Sequence, residues 1–401
     1  PFGTPWAGKD AKAGQEEAVN DEFKKRLNGR WGAGLPGGGD SQLLFVQSAV
    51  AKLDDKLGRA AIIENGSPLF TGSTASGESQ IRRWLLENDL LEAIVAMPTD
   101  LFYNTGIATY IWLISKNKRP ERRGRVQLID ATNIFHKLRK PIGNKKNEFS
   151  PEDRAAIAKL YTDFEENEYS KIFNNEDFMY REYAVMQPLQ RSYSITEESI
   201  ERMLQNGALK GLWDEVKVAE FEEQGNSLSG KDQNKLDNFY TTKPVYELVL
   251  EKLRANMSDK KWLSPKEFLP VLVKVLDDIV DSKTFDKIMD GLSIMDKEAV
   301  IQKDKKGNII YDKETKDTEL VKYTEDIETY MAREVLPHIP DAKWFWEEDL
   351  TKKKPVIKIG AEIPFTRYFY KYQAPKPSEE LLAQFLALDK SVNERIARLM
   401  K

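Results

Sequence analysis

The chain has 401 residues, 40% hydrophobic and 31% charged, with a formal net charge of −4, two histidines and no cysteine. That length exceeds one ordinary core, so two or three domains are expected, and the absence of cysteine rules out disulfides, thiol catalysis and thiolate metal sites. The longest apolar runs, such as Leu90–Met97, fall well short of the ~20 residues of a spanning helix, and with no charged-then-apolar leader a cytoplasmic, non-membrane protein is expected.

The first forty residues read as loop, punctuated by Gly3, Gly8, Gly14, Gly29, Gly32, Gly34 and Gly37–Gly39 with Pro5 and Pro36. At Asp40 or Ser41 a cap opens a helix whose apolar positions Leu43, Leu44, Val46, Val50 and Leu53 keep a helical period. Gly58 ends it, and Arg59–Glu64 reads as a short buried strand closed by Asn65-Gly66. A helix over Glu78–Glu87, with Ile81, Trp84 and Leu85 on one side, leads to a second strand, Leu91–Met97, stopped by Pro98. A third strand, Ile107–Ser115, follows after a connection too short for a crossover helix, so the second and third should pair antiparallel. Arg125–Asp130 is a fourth strand candidate. Helix–strand–helix–strand–strand is the second half of an α/β sheet with one reversed strand near its edge.

Glu152–Glu166 reads as a helix, followed by an aromatic and acidic connector to about Pro188. Beyond Ile195 the chain is mostly helical, with apolar stripes in Glu197–Leu204, Pro244–Asn256, Pro265–Ile279 and Thr324–Val335. After Pro375 and Pro377, Ser378 caps a final helix to Lys401. Its residues Leu381, Phe385, Leu388, Val392, Ile396 and Leu399 form one continuous stripe. Such a stripe serves a helix packed on its own domain or, after a proline-bounded linker, a partner helix.

Charge is uneven. From Lys116 to Lys146 eleven basic residues face two acidic ones, a local charge of about +9. Such a strip is either a solvated hairpin and loop or a phosphate-contacting rim or interface, with Lys116, Lys118, Arg119, Arg122 and Arg123 as its candidate contacts. The histidines, His136 and His338, lack carboxylates at ligand spacing, so neither a metal site nor a histidine base is expected.

Three segments resemble the modification subunit of type I restriction–modification systems, an adenine-N6 DNA methyltransferase family. Pro1-Phe2-Gly3, with Trp6 nearby, resembles the tail of that family's Asn-Pro-Pro-Phe motif. A longer match runs through Gly58-Arg59-Ala60-Ala61-Ile62-Ile63, Leu69-Phe70, Ile81-Arg82, Leu85-Leu86-Glu87 and Leu101-Phe102-Tyr103-Asn104-Thr105-Gly106-Ile107. It continues through Lys116-Asn117-Lys118 and Arg123-Gly124-Arg125-Val126 to Leu128-Ile129-Asp130-Ala131. The third comprises Arg333-Glu334-Val335-Leu336-Pro337-His338 and Glu362-Ile363-Pro364-Phe365-Thr366-Arg367-Tyr368-Phe369-Tyr370. Together they cover nearly the whole chain and resemble the C-terminal two-thirds of such a subunit.

The resemblance implies the C-terminal half of a Rossmann-like methyltransferase sheet over residues 1–190, a helical family-specific region over 191–345, and a tail over 346–401 ending in the partner helix 378–401. It implies methyl transfer from S-adenosylmethionine to the exocyclic amine of an adenine flipped out of the duplex. In the family an Asn side chain and a Pro carbonyl accept the two amine hydrogens, aiming the nitrogen lone pair at the sulfonium methyl, while an aromatic ring stacks on the base. Carried over, Phe2 would be that ring and Pro1 the proline before it; the Asn, the first Pro and the glycine-rich cofactor loop are not in this sequence. Gly32-Ala33-Gly34 and Gly37–Gly39 follow no strand and read as loop. Asp40-Ser41-Gln42-Leu43 resembles the segment that backs the cofactor pocket, making Asp40 the cofactor candidate here. The chain is therefore expected to be inactive alone, with DNA, a specificity subunit and a restriction/translocase subunit as partners. A non-catalytic assembly module docking on the specificity subunit, and a cytosine-N4 methyltransferase, stay open as alternatives.

Overall fold

In the computed structural model, which describes residues 3–349, 356–372 and 374–399, the expected alternation becomes a five-stranded sheet. Its first strand β1 (Arg59–Asn65) follows helices α1 (Gln15–Lys24) and α2 (Gln42–Lys52). The short helix α3 (Ser67–Phe70) and helix α4 (Gly77–Glu87) lead to β2 (Leu91–Met97), then β3 (Thr109–Ser115) and β4 (Arg125–Asp130). A hairpin of β5 (His136–Ile142) and β6 (Lys145–Glu148) precedes helix α5 (Pro151–Asp163) and strand β7 (Ser170–Asn174). The order across the sheet is β1-β3-β2-β4-β7.

Burial explains the order. Every residue of β2 is buried, so it occupies the middle of the sheet. It lies parallel to β4, with Ile94 beside Leu128, and antiparallel to β3, with Ile94 beside Trp112. β3 also runs antiparallel to β1, placing Ile63 beside Ile111. The reversed strand is therefore inserted between two strands of common direction, as the short β2–β3 connection requires. β7 pairs antiparallel with β4 on the far side. The outer edge of β1 has no strand partner among the described residues.

Helix α4 presents Ile81, Leu85 and Leu86 to the core, where they meet Leu43, Val46 and Val50 of α2 and Trp112 of β3. Ser76 caps α4 by accepting from the Ser79 amide. Arg82 lies in the same core; its guanidinium donates to the carbonyls of Ala361 (2.7 Å), Pro68 (3.0 Å) and Thr71 (2.9 Å). Burial lowers its pKa to about 10.

Two compact units emerge. The first comprises residues 1–182, 320–325 and 348–401, and the second residues 183–319 and 326–347. The expected third part is thus not separate: Ile359–Ala361 pairs with 179–181, and Ile363 and Phe365 enter the first core, Phe365 meeting Tyr110 edge-on. The second unit has its own core, built from a small sheet centred on Arg191–Ile195 and helices including Glu197–Gln205, Gly230–Ala255, Pro265–Leu276 and Ser282–Gly291. Here the expected region is less purely helical than its sequence indicates, since Tyr311–Lys322 forms a long strand.

Candidate functional site

The carboxyl half of β1, Phe45 of α2 and the loop after β2 line a largely apolar cleft in the first unit. It measures about 830 Å³ and is lined by Phe45, residues Ala61 to Glu64, and the loop residues Phe102, Tyr103, Asn104 and Thr105. The loop has a fixed form. Asp100 takes the left-handed conformation at φ 57°, and its amide donates to the Gly106 carbonyl. A Cβ at Gly106 would sit 2.5 Å from the Asp100 carboxylate, which would have to turn aside. Tyr103 is 57% exposed at the mouth of the cleft, and Phe45 and Ile63 are also exposed.

Glu64 stands in this wall with 2% of its surface exposed. Burial, with the neighbouring Asp40 carboxylate adding repulsion, pushes its pKa up to about 8. Its carboxyl is thus mostly neutral at pH 7 and can donate a hydrogen bond as well as accept one.

Asp40 belongs to a hydrogen-bond network at the end of β1. One carboxylate oxygen accepts from the Gln42 amide (3.0 Å), and the other lies 2.6 Å from the Ser67 hydroxyl. That hydroxyl also lies 2.6 Å from the Asn65 side-chain oxygen. Gln42 donates its side-chain amide to Asp40 and accepts from the Asn65 backbone amide (2.7 Å). The network holds the start of α2 against the end of β1.

The five basic candidates lie elsewhere. They follow β3 or precede β4, at the edge of the sheet where β2 begins, whereas the cleft is at the edge where β2 ends. Seven residues of β2 separate the two, about 20 Å of extended chain. Lys116 donates to the Leu53 carbonyl and to Asp55 (2.8 Å each). Lys118, with 1% of its side chain exposed, pairs with Asp89 at 2.6 Å. Arg122 is buried opposite Glu92 (3.6 Å) and lies over the Tyr161 and Phe164 rings. Lys118 and Arg122 are therefore not surface contacts: taking either charge into the interior requires the acid that it already has. Arg119 and Arg123 are exposed.

Pro1 and Phe2, the expected remnant of the catalytic motif, lie outside the described residues. Tyr103, absent from the sequence-based candidates, could have been found from its place in the 101–107 match. The terminal helix forms as expected over Ser378–Leu399, and Leu381, Phe385, Leu388 and Val392 are all exposed along it. His136 pairs with Asp153 (2.7 Å) at the surface. Among the described residues no cluster of three or more metal-ligating side chains occurs, and no helix is long and apolar enough to cross a membrane.

A family model described as N-6 DNA Methylase matches residues 1–199. The MjaVIII type I restriction enzyme methylase subunit of Methanocaldococcus jannaschii is 32% identical over 126 residues, 31% of this chain and 21% of the relative. The HindI type I restriction enzyme methylase subunit of Haemophilus influenzae is 33% identical over 129 residues, 32% of this chain and 27% of the relative. The chain thus spans between a fifth and about a quarter of the length of these relatives. A type I restriction–modification methyltransferase subunit from Streptococcus thermophilus is similar at 22% identity, covering 39% of this chain and 31% of that one, with a TM-score of 0.35.

Proposed function

Since residues 1–199 belong to the N-6 DNA methylase family, we propose that this chain supplies the carboxyl-terminal part of an adenine-N6 DNA methyltransferase in a type I modification complex. The cleft at the end of β1 and β2 would receive the flipped adenine, with Tyr103 as a stacking face. The observation that carries this reading is the pairing of an exposed aromatic ring with an apolar cleft of about 830 Å³, since an unstacked base needs an aromatic or apolar surface to replace its neighbours.

S-adenosylmethionine would supply the transferred methyl group when bound. The residues present fit one wall of such a site and not a whole one. Phe45 and Ile63 give an apolar surface, while Asp40 is already engaged by Gln42 and Ser67 and acts by holding α2 against β1. The neutral Glu64 carboxyl adds no full charge to the cleft at pH 7. The outer edge of β1 has no strand partner among the described residues, and a further strand there would extend the sheet beside the cleft.

Partners are assigned by surface. The apolar stripe Leu381, Phe385, Leu388 and Val392 would dock on a specificity subunit, because it is exposed throughout its length. Arg119 and Arg123, both exposed, would offer a further contact, such as to a restriction/translocase subunit. The reading is tested by Tyr103→Ala in the complex formed by a complete modification subunit and its specificity subunit. Stacking on one base is worth about 1–3 kcal/mol, so labelled methyl transfer should fall about 5–150-fold. Unchanged transfer would reject the assignment.

A further inference from the structure

The β5–β6 hairpin carries Lys137, Arg139, Lys140, Lys145 and Lys146 against the single acid Glu148. Nearly all of it is exposed. Lys146 is paired with Asp100 (3.2 Å), and the Lys145 ammonium lies 5.4 Å from the centre of the Tyr103 ring. Lys137, Arg139 and Lys140 have no ion-pair partner among the described residues, and all three are exposed. This distinguishes them from Lys118 and Arg122, whose charges are spent inside the protein, and from Lys116, which is paired with the exposed Asp55.

The hairpin is fastened to the loop that forms the cleft mouth. The Asn144 amide donates to the Tyr103 carbonyl (2.9 Å), and the Lys146 and Asn147 amides both donate to the Asp100 carbonyl (2.9 and 3.1 Å). The Asn147 side chain donates to the Thr99 carbonyl (2.9 Å). Gly143, at φ 58°, passes so close to the Tyr103 carbonyl that a Cβ would sit 2.8 Å from it. The turn of a cationic hairpin is thus held by backbone hydrogen bonds against the residue proposed to stack on the base.

We propose that Lys137, Arg139 and Lys140 grip the phosphates of the duplex flanking the extruded nucleotide. Tyr103 and the cations then move as one element. The inference rests on the DNA reading above and adds the residues that hold the backbone. A polyanion fits better than a single acidic side chain: three unpaired cations on one short ribbon match an array bearing one charge per ~1.7 Å of duplex axis. An element that carries both the ring and the cations also fixes the register between base and backbone.

The test is binding of a 20-base-pair DNA duplex to the full chain across a salt series, with the triple variant Lys137→Ala/Arg139→Ala/Lys140→Ala. The expected result is a loss of about tenfold in affinity at 0.1 M salt and a flattening of the log–log salt slope by about 3. Lys137→Arg/Arg139→Lys/Lys140→Arg should keep the slope, and Arg119→Ala/Arg123→Ala, which removes exposed charge at the other edge, should change it little. If the triple variant binds with the parent's slope, the hairpin assignment is overturned while the DNA reading stands. Absence of duplex binding by the parent chain at low salt overturns both. Capture of polyglutamate in preference to duplex assigns the hairpin to an acidic protein and overturns the proposal.

Discussion

Replacing Arg122 by alanine separates a structural cation from a DNA contact. The Arg122 and Glu92 side chains are each 2% exposed and 3.6 Å apart. The guanidinium also donates to the Gln127 side chain (3.0 Å) and the Tyr161 carbonyl, and packs over two rings at 4.1 and 4.3 Å. Its removal leaves Glu92 with Arg59, itself 44% exposed and 3.8 Å away, as its remaining ion-pair partner, beside the Tyr161 hydroxyl. A buried charge stripped of its partner costs about 3–5 kcal/mol, and each cation–π contact adds about 0.5–2 kcal/mol. The remaining Arg59 pair offsets part of this. The expected destabilisation of the first unit is thus about 4 kcal/mol, read as a lower urea midpoint with the unfolding slope unchanged. Adding Glu92→Leu to Arg122→Met should recover most of it, because an apolar pair of similar volume avoids the desolvation cost. A loss below about 1 kcal/mol accompanied by weaker DNA binding would refute the reasoning and restore Arg122 as a surface contact.

Glu64 should make stability fall with rising pH. Its folded pKa of about 8 exceeds the ordinary 4.5, so the stabilising protonated form is fully populated below pH 4.5 and is lost as pH rises through 8. The span is worth about 3–5 kcal/mol. Glu64→Gln should flatten the decline and melt higher than the parent at pH 8; identical melting profiles would contradict the burial argument. Arg82→Met should strand the Pro68 and Thr71 carbonyls, leave the Ala361 carbonyl with only the Ser79 hydroxyl, and cost about 3 kcal/mol, with faster hydrogen exchange at the Ala361 amide; unchanged exchange there would show that Arg82 does not fasten the tail. Phe385→Asp should shift stability by no more than about 0.5 kcal/mol while abolishing co-purification with the specificity subunit; retained co-purification would release the terminal helix from that role.

The buried strand Leu91–Met97 and the amphipathic helix Gly77–Glu87 were legible because apolar periodicity reports burial directly. Helix Gln15–Lys24 was not: glycines flank it and only Val19 of its ten residues is buried. Tyr311–Lys322 hid for a similar reason, alternating mainly polar side chains on a largely exposed strand. Pro244, read as a helix start, lies inside Gly230–Ala255; one proline breaks a single hydrogen bond, which a long helix can absorb. The basic strip shows the deeper limit. Its charge is plain in sequence, but the acids that neutralise Lys118 and Arg122 lie about thirty positions upstream, at Asp89 and Glu92. Only folding brings them together, so of that strip Arg119, Arg123 and most cations of the hairpin stay exposed. Tyr103 was visible within a family-like motif, yet its role depends on the cleft that β1 places beside it.

The central claim is that the flipped base enters the cleft at the carboxyl edge of β1 and β2. Photocrosslinking tests it directly: a duplex carrying 5-iodouracil at the methylation position is irradiated in the complete modification complex, and the adduct is mapped by peptide mass spectrometry. The account predicts crosslinks to the 101–107 loop, with Tyr103 as the modified residue. Adducts confined to residues 116–123, at the other end of the sheet, would contradict it.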